Sequence, residues 1–408
     1  MKVDIKAGIK VPDRGESTSE MEPLLISESS RHRGALTDLA FDLAQKSAGF
    51  RRSLPPGLLA NLSTLVRAMN CYYSNLIEGH NTHPVDIERA LRDEYSQGRR
   101  KRDLQLEAKA HIAVQQWIDE GGLKAIRPFS PEGICEIHRR FCALLPEDLL
   151  WVEDPETKER QRVVPGRLRT GDVRVGNHIA ISPGAVPRFL RRFADVYSSL
   201  GRTDSVLAVA AAHHRLLWVH PFLDGNGRVT RLMSHAMLLE TLDTSAVWSV
   251  ARGLARNEAT YKQLLANCDR PRRNDLDGRG NLSEEALVEF TRFFLTVSLD
   301  QVKFMETLVQ PDRLRARILL WAEEEIRLGA LPQKSGNILE AVLYRGELPR
   351  GDAAAVVGTT ARQARRIISS LLERGVLASE SPYAPLRLTF PAALAHRWMP
   401  GLFPEKVD

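Results

Sequence analysis

The stretch VLAVAAA, residues 206–212, offers no polar side to a helix of 3.6 residues per turn. A segment apolar all round has to be surrounded, so this helix must sit at the centre of several others. It is expected to run over residues 205–219, with Thr203 or Asp204 as its N-cap. A further helix is predicted to begin near Gly227 and to reach about Leu242, which leaves HPFLDGN, residues 220–226, as a tight connection between two buried helices. The chain is therefore expected to be mainly α.

The flanking sequence supplies the other helices. After the break at Pro55-Pro56-Gly57, Leu58, Leu62, Leu65, Met69 and Tyr72 recur at spacings of three and four, giving one apolar stripe that runs toward Ser74, where Gly79 can stop the helix. Helical patterns follow at 85–96, 104–119 and 131–145, then at 187–200, 255–267 and 284–309. Residues 160–183 break the pattern with β-branched residues and a Thr-Gly-Asp turn signal, which predicts a β-hairpin with an irregular edge. Beyond Pro311 a linking helix to about Leu328 leads into three short helices and a hairpin over 336–390. The polar, Ser-, Glu- and Pro-rich start implies four regions: a mobile tail at 1–34, a helical region at 35–120, a core at 121–310 and a C-terminal portion at 311–408.

Composition narrows the function classes. The 408 residues suit two or three domains, and 57 Lys and Arg against 51 Asp and Glu give a net charge of +6, which permits an anionic partner without requiring one. The basic runs RRKR at 99–102 and RPRR at 270–273 read as solvated loops or helix ends. Cys71, Cys135, Cys142 and Cys268 lack the paired spacing of a zinc site and are too few for a disulfide scaffold, so a reduced, cytoplasmic setting is expected. No apolar run approaches 18 residues, so no membrane span is expected.

The connection HPFLDGNGRVTR, residues 220–231, concentrates chemistry. Gly225 and Gly227 let a ligand approach the main chain, and free N–H groups at the start of the following helix make an anion site. Arg228 and Arg231 share one face of that helix and suit a polyphosphate. Asp224 is then best explained as a Mg²⁺ ligand, since Mg²⁺ takes one or two carboxylates plus phosphate oxygens. His220 can take a proton from an incoming hydroxyl. The set specifies nucleotidyl or phosphoryl transfer, and it differs from a Walker A loop, which would place Lys where Arg stands.

At every fixed position this stretch resembles the Fic-domain signature HxFx[D/E]GNGRxxR, and the surrounding helices and hairpin fit a Fic core over about residues 121–310. The resemblance implies a Fic-type helical core with a β-hairpin flap, and transfer of AMP from ATP to a Ser, Thr or Tyr hydroxyl of a protein. It makes His220 the general base, Phe222 the anchor of the loop, Asp224 the Mg²⁺ ligand, and Gly225, Asn226 and Gly227 the anion-binding nest. Arg228 is placed on the phosphates and Arg231 on the γ-phosphate. Glycine rather than Lys at 227 argues for AMP transfer over phosphorylation. The hairpin at about 163–183 resembles the Fic flap, on which a target segment pairs as an added strand.

SNLIEG, residues 74–79, matches the family's inhibitory pattern [S/T]xxxE[G/N]. An acidic group at the end of a helix is unfavourable for the dipole unless a cation faces it, and Arg231 is the candidate. The resemblance makes Glu78 the group that pairs with Arg231 and blocks the γ-phosphate, with Ser74 supporting it, and extends to removal of AMP with Glu78 positioning water. Tyr261 and Asn267 lie where the family builds its adenine pocket, while His213 and His214 read as core or capping residues rather than metal ligands.

The last 70 residues resemble a winged helix, with TARQARRIISSLLERG as recognition helix and Arg362, Arg365 and Arg366 on overlapping faces. Two readings follow: an AMP-transferring enzyme, capable of self-modification, or a DNA-binding regulator whose Fic domain senses a nucleotide. A homodimer is compatible with either.

Overall fold

The computed structural model describes residues 11–153 and 158–404. Five helices come first: α1 (Arg33–Arg52), α2 (Pro56–Ile77), α3 (Pro84–Leu91), α4 (Arg99–Asp119) and α5 (Pro131–Ala143). Proline stands in the first turn of α2, α3 and α5, where an N–H would have no helical partner anyway. Ser130 completes the start of α5 by accepting a hydrogen bond from the Gly133 N–H. The stripe Leu58, Leu62, Leu65, Met69 and Tyr72 is buried along α2, as its spacing requires.

Two hairpins follow. β1 (Trp151–Glu153) pairs antiparallel with β2 (Arg160–Arg162), and β3 (Arg174–Val175) with β4 (His178–Ile179). The expected hairpin over 160–183 is thus shorter, and its first residues belong to a separate hairpin with 151–153, a partner that shows no β pattern of its own in the sequence.

The core then continues with α6 (Val186–Ser198), α7 (Arg202–Val219), α8 (Asn226–Leu242), α9 (Val250–Arg256), α10 (Glu258–Cys268) and α11 (Glu284–Leu308). Helix α7 is buried over nearly its whole length and is packed by α1, α6, α8 and α11, the central position its composition demands. It starts one turn earlier than predicted, behind Gly201 and without a side-chain cap. The helix expected at 255–267 is α10, which starts three residues later because Asn257 leaves the helical region at φ −120°, ψ 35° and turns its amide back onto the Gly253 carbonyl, ending the unexpected α9.

The C-terminal portion holds α12 (Pro311–Arg327), α13 (Ser335–Arg345), β5 (Glu347–Leu348), α14 (Ala353–Val357), α15 (Ala361–Glu373), β6 (Leu377–Ala378), β7 (Leu386–Leu388) and α16 (Ala395–Trp398). The strands form one antiparallel sheet in the order β5-β7-β6, so the predicted three helices and hairpin are joined by a third strand too short to show in the pattern. The chain then returns to α2: the Tyr73 hydroxyl donates to the Leu402 carbonyl at 2.9 Å, and Phe403 packs edge-on against Tyr72.

Residues 11–34 correct the expected mobile tail, whose first ten residues lie outside the described ones. Met21, Leu24 and Ile26 are buried, Glu16 accepts hydrogen bonds from Ser182, and Arg188 pairs with Asp13. Ser17 and Glu20 form a reciprocal capping box, a signal present in the sequence as STSE. Among the described residues no helix is long and apolar enough to cross a membrane.

Candidate active site

The loop between α7 and α8 is shaped by three residues. His220 ends α7 in the left-handed region (φ 51°, ψ 63°), a conformation costly for a residue with a side chain. Phe222 is fully buried and stacks flat on the His138 ring at 3.8 Å. The Asn226 side chain accepts from the Phe222 N–H at 3.0 Å and donates to the Phe222 carbonyl at 2.9 Å, closing the loop on itself. The Asn226 side chain is therefore committed to the loop, and only its main chain is left for the anion nest proposed from sequence.

Gly225, at φ 80°, is the N-cap of α8, and no side chain caps that end. The first N–H groups of α8 therefore keep their donor capacity for an anion. Asp224 is exposed at the mouth of the loop and has no ion pair among the described residues. No group of three or more His, Cys, Asp or Glu suited to hold a metal is found among those residues.

The His220 ring contacts the Leu217 carbonyl through Nδ1 at 3.3 Å. A carbonyl can only accept, so Nδ1 carries the proton and Nε2 keeps its lone pair. Burial pushes the imidazole down to about 4, the Leu217 contact opposing this, while Arg169 and His178 add to it and Glu78 opposes it. His220 is thus neutral at pH 7, the state a base needs.

Both arginines of α8 are buried, and both are held by the N-terminal helices. Arg231 donates from Nε to the Ser74 hydroxyl at 2.8 Å and from Nη2 to the Ser74 carbonyl at 3.1 Å, and it pairs with the Glu78 carboxylate. Burial raises the Glu78 carboxyl, but Arg231, helped by Arg228 and His80, outweighs it and holds the group below the usual carboxylate range. Gly227 makes the approach possible, since a Cβ there would stand 2.2 Å from a Glu78 oxygen. Arg228 pairs with Glu107 of α4 at 2.7 Å and meets His80 at 2.9 Å, with Asn75 at 3.4 Å. It lies over the Phe141 ring, so in this state it is turned to protein partners rather than to the phosphate position expected from sequence.

Of the residues singled out in the sequence, Ser74, Glu78 and Arg231 meet directly, beside the loop that carries His220 and Asp224. Sequence reading missed Glu107 and His80, which carry no motif, and Arg169, whose guanidinium reaches the His220 carbonyl. The adenine-pocket assignments are not supported. Tyr261 is 2% exposed, its hydroxyl bound to His213 Nε2 at 2.7 Å, and Asn267 faces outward to Gln263. His213 also meets Ser234, and His214 meets Asp269, the core roles expected of them.

A model of the Fic/DOC family matches residues 128–238, the segment holding α5, the flap and the α7–α8 loop. Protein adenylyltransferase Fic from Drosophila willistoni is 33% identical over 108 residues, 26% of this chain and 19% of that protein. The Nematostella vectensis protein of the same name is 26% identical over 194 residues, 46% of this chain and 41% of its own length. The chain thus spans less than half the length of these relatives. The crystal structure of a Fic family protein from Desulfovibrio desulfuricans G20 superposes with a TM-score of 0.52 at 16% identity, covering 90% of this chain and 98% of that one, so the fold is shared. Residues 128–238 are therefore a Fic domain.

Proposed function

We propose that the chain is a protein adenylyltransferase held inactive by its own α2. The observation that carries this reading is the free Nε2 of a neutral His220 beside the uncapped N-terminus of α8. In the reaction a target Ser, Thr or Tyr hydroxyl gives its proton to Nε2 while its oxygen bonds to the α-phosphorus of ATP. The bond from that phosphorus to the bridging oxygen breaks, and pyrophosphate leaves. The α8 N–H groups and the arginines stabilise the charge on the phosphates, the term that dominates such transfers.

One exposed carboxylate does not make a closed metal cage, but it fits Mg²⁺, which keeps waters and phosphate oxygens as its other ligands. Asp224 would hold the ion, which would neutralise phosphate charge when bound. The flap supports docking of an extended target segment: β3 and β4 are two residues each, and Val175 and Ile179 are 47% and 69% exposed. Glu78 supports autoinhibition because its carboxylate occupies the guanidinium that a γ-phosphate would need. The same carboxylate beside the loop is compatible with water positioning for AMP removal.

The test is incubation of wild type, Glu78→Gly and Glu78→Gly/His220→Ala with Mg²⁺ and α-labelled ATP, read by intact mass and transferred label. The single variant should gain AMP on itself at least about tenfold faster than wild type, and the double variant should lose about 10²–10⁴ of that rate while still binding ATP. No adduct in any of the three would sink the transferase reading. A second reading, DNA binding through a winged helix at 335–390, is favoured by Arg362, Arg365 and Arg366 of α15, all exposed and without an ion pair among the described residues.

A further inference from the structure

Arg169 is 2% exposed and has no carboxylate partner among the described residues, an arrangement that is costly for a guanidinium unless its donors are all used. Here they are spent on main-chain carbonyls. Nε donates to His220 at 2.7 Å, Nη1 to Gly171 at 2.9 Å, and Nη2 to Ile181 and, at 3.5 Å, to Val219. The Arg169 main-chain N–H adds a bond to the Pro221 carbonyl at 3.0 Å. Burial lowers the group to about 10, so it stays charged at neutral pH.

The pattern has two halves. Val219, His220 and Pro221 are the turn that puts His220 in the left-handed region, and Arg169 holds the carbonyl of each of them. A residue in that region persists only where its surroundings over-determine it. Gly171 and Ile181 stand on either side of the β3–β4 hairpin, so the same side chain closes the base of the flap. One planar fork, with donors pointing in three directions, joins the base to the platform. Lysine has no comparable geometry.

The geometry points to Arg169 as the positioning residue that fixes His220 relative to a target lying on the flap. This rests on His220 being the base that receives the target's proton. Misplacement by about 1 Å costs on the order of 10² in rate, because a near-attack arrangement is lost. The phosphate side of the site is built from other residues, Arg228, Arg231 and the α8 N-terminus, none of which bonds to Arg169. ATP binding should therefore survive where transfer does not.

The experiment uses the full chain carrying Glu78→Gly, alone and with Arg169→Lys or Arg169→Gln. Transfer rates, affinity for a non-hydrolysable ATP analogue and amide exchange are measured on each. The expected result is a fall in kcat of at least about 100-fold for both substitutions, analogue affinity within about threefold, and faster exchange in 170–182 and 219–222 together. Loss of rate and affinity in step would overturn the proposal, as would rates within about threefold of the parent or unchanged exchange in 219–222. Unfolding of both variants, read by circular dichroism, would also overturn it by making Arg169 a part of the core alone. If the Glu78→Gly parent transfers nothing, the transferase reading fails, while exchange in the two segments still decides whether Arg169 couples them.

Discussion

The arginines of α8 and those of α15 come from equally plain helical sequence, yet the molecule treats them oppositely. Arg228 and Arg231 are buried, and each is closed by a carboxylate from the N-terminal helices, Glu107 and Glu78. Arg362, Arg365 and Arg366 stay in water with no ion pair among the described residues. A desolvated guanidinium must have its donors filled, by carboxylates here and by main-chain carbonyls at Arg169, whereas a hydrated one needs no partner in the protein. The groups that close Arg228 and Arg231 are therefore the groups a polyphosphate would have to displace, which is how the proposed autoinhibition would act.

The largest effect expected from this contrast concerns acid. His111, His138, His214 and His220 are pushed down by burial to about 3, 4, 4 and 4, and His213 lies well below the ordinary value for the same reason. The unfolded chain takes up protons near the ordinary value of 6.5, while the folded one resists until about 4 or below. Stability is therefore full above about pH 6.5 and lost as pH falls toward 4, by about 2 kcal/mol per such histidine at pH 5. The C-terminal unit has a single histidine, the exposed His396. Urea melts at pH 7 and pH 5 should differ by several kcal/mol, with amide protection lost first in α4, α5 and α7. Superimposable melts would break the contrast.

The two carboxylates should themselves differ. Arg228 is 6% exposed and Glu107 12%, so Glu107→Ala leaves a buried guanidinium without a counter-charge and should cost about 3 kcal/mol. Glu78 is 34% exposed, and Arg231 keeps both Ser74 contacts when it is removed. Glu78→Gly should therefore cost less than Glu107→Ala, about 1 kcal/mol, because Ser74 keeps Arg231 donors filled and the lost carboxylate is itself partly exposed. Chemical denaturation of the two variants at pH 7 measures the gap. Equal losses would mean that Glu78 is as structural as Glu107 and poorly suited to leave.

Much of this was readable in advance, and for definite reasons. The α7–α8 corner is local: an all-apolar helix, two glycines and a fixed set of side chains within twelve positions. Glu78 could be placed because SNLIEG resembles the family's inhibitory pattern, and the dipole at the end of α2 favours a facing cation. Glu107 could not, because a single Glu in an amphipathic helix has the same pattern whether it meets water or Arg228. Arg169 was hidden for the opposite reason: its partners are carbonyls, which every residue carries. The strap at 11–34 escaped because MEPLLI is too short to show a period, and Tyr261 was placed by family position alone, which does not show that its hydroxyl is bound to His213.

The smallest effect belongs to α15. Arg362, Arg365 and Arg366 replaced together by Ala remove three exposed charges with no ion pair among the described residues, so stability should change by no more than about 0.5 kcal/mol. Self-transfer of AMP in the Glu78→Gly background should be unaffected as well. If the helix meets nucleic acid, the same triple variant should weaken duplex binding and flatten its salt dependence by close to one counterion per arginine that contacts a phosphate, with His220→Ala having no influence. Binding titrations on a random-sequence duplex at several salt concentrations would show this. A triple variant that instead loses stability or alters AMP transfer would erase the contrast between the two sets, because it would show the α15 arginines to be engaged with the chain after all. The outcome also separates the two functional readings: a salt-sensitive interaction independent of His220 would mean that the C-terminal unit carries its own binding function beside the one built on α8.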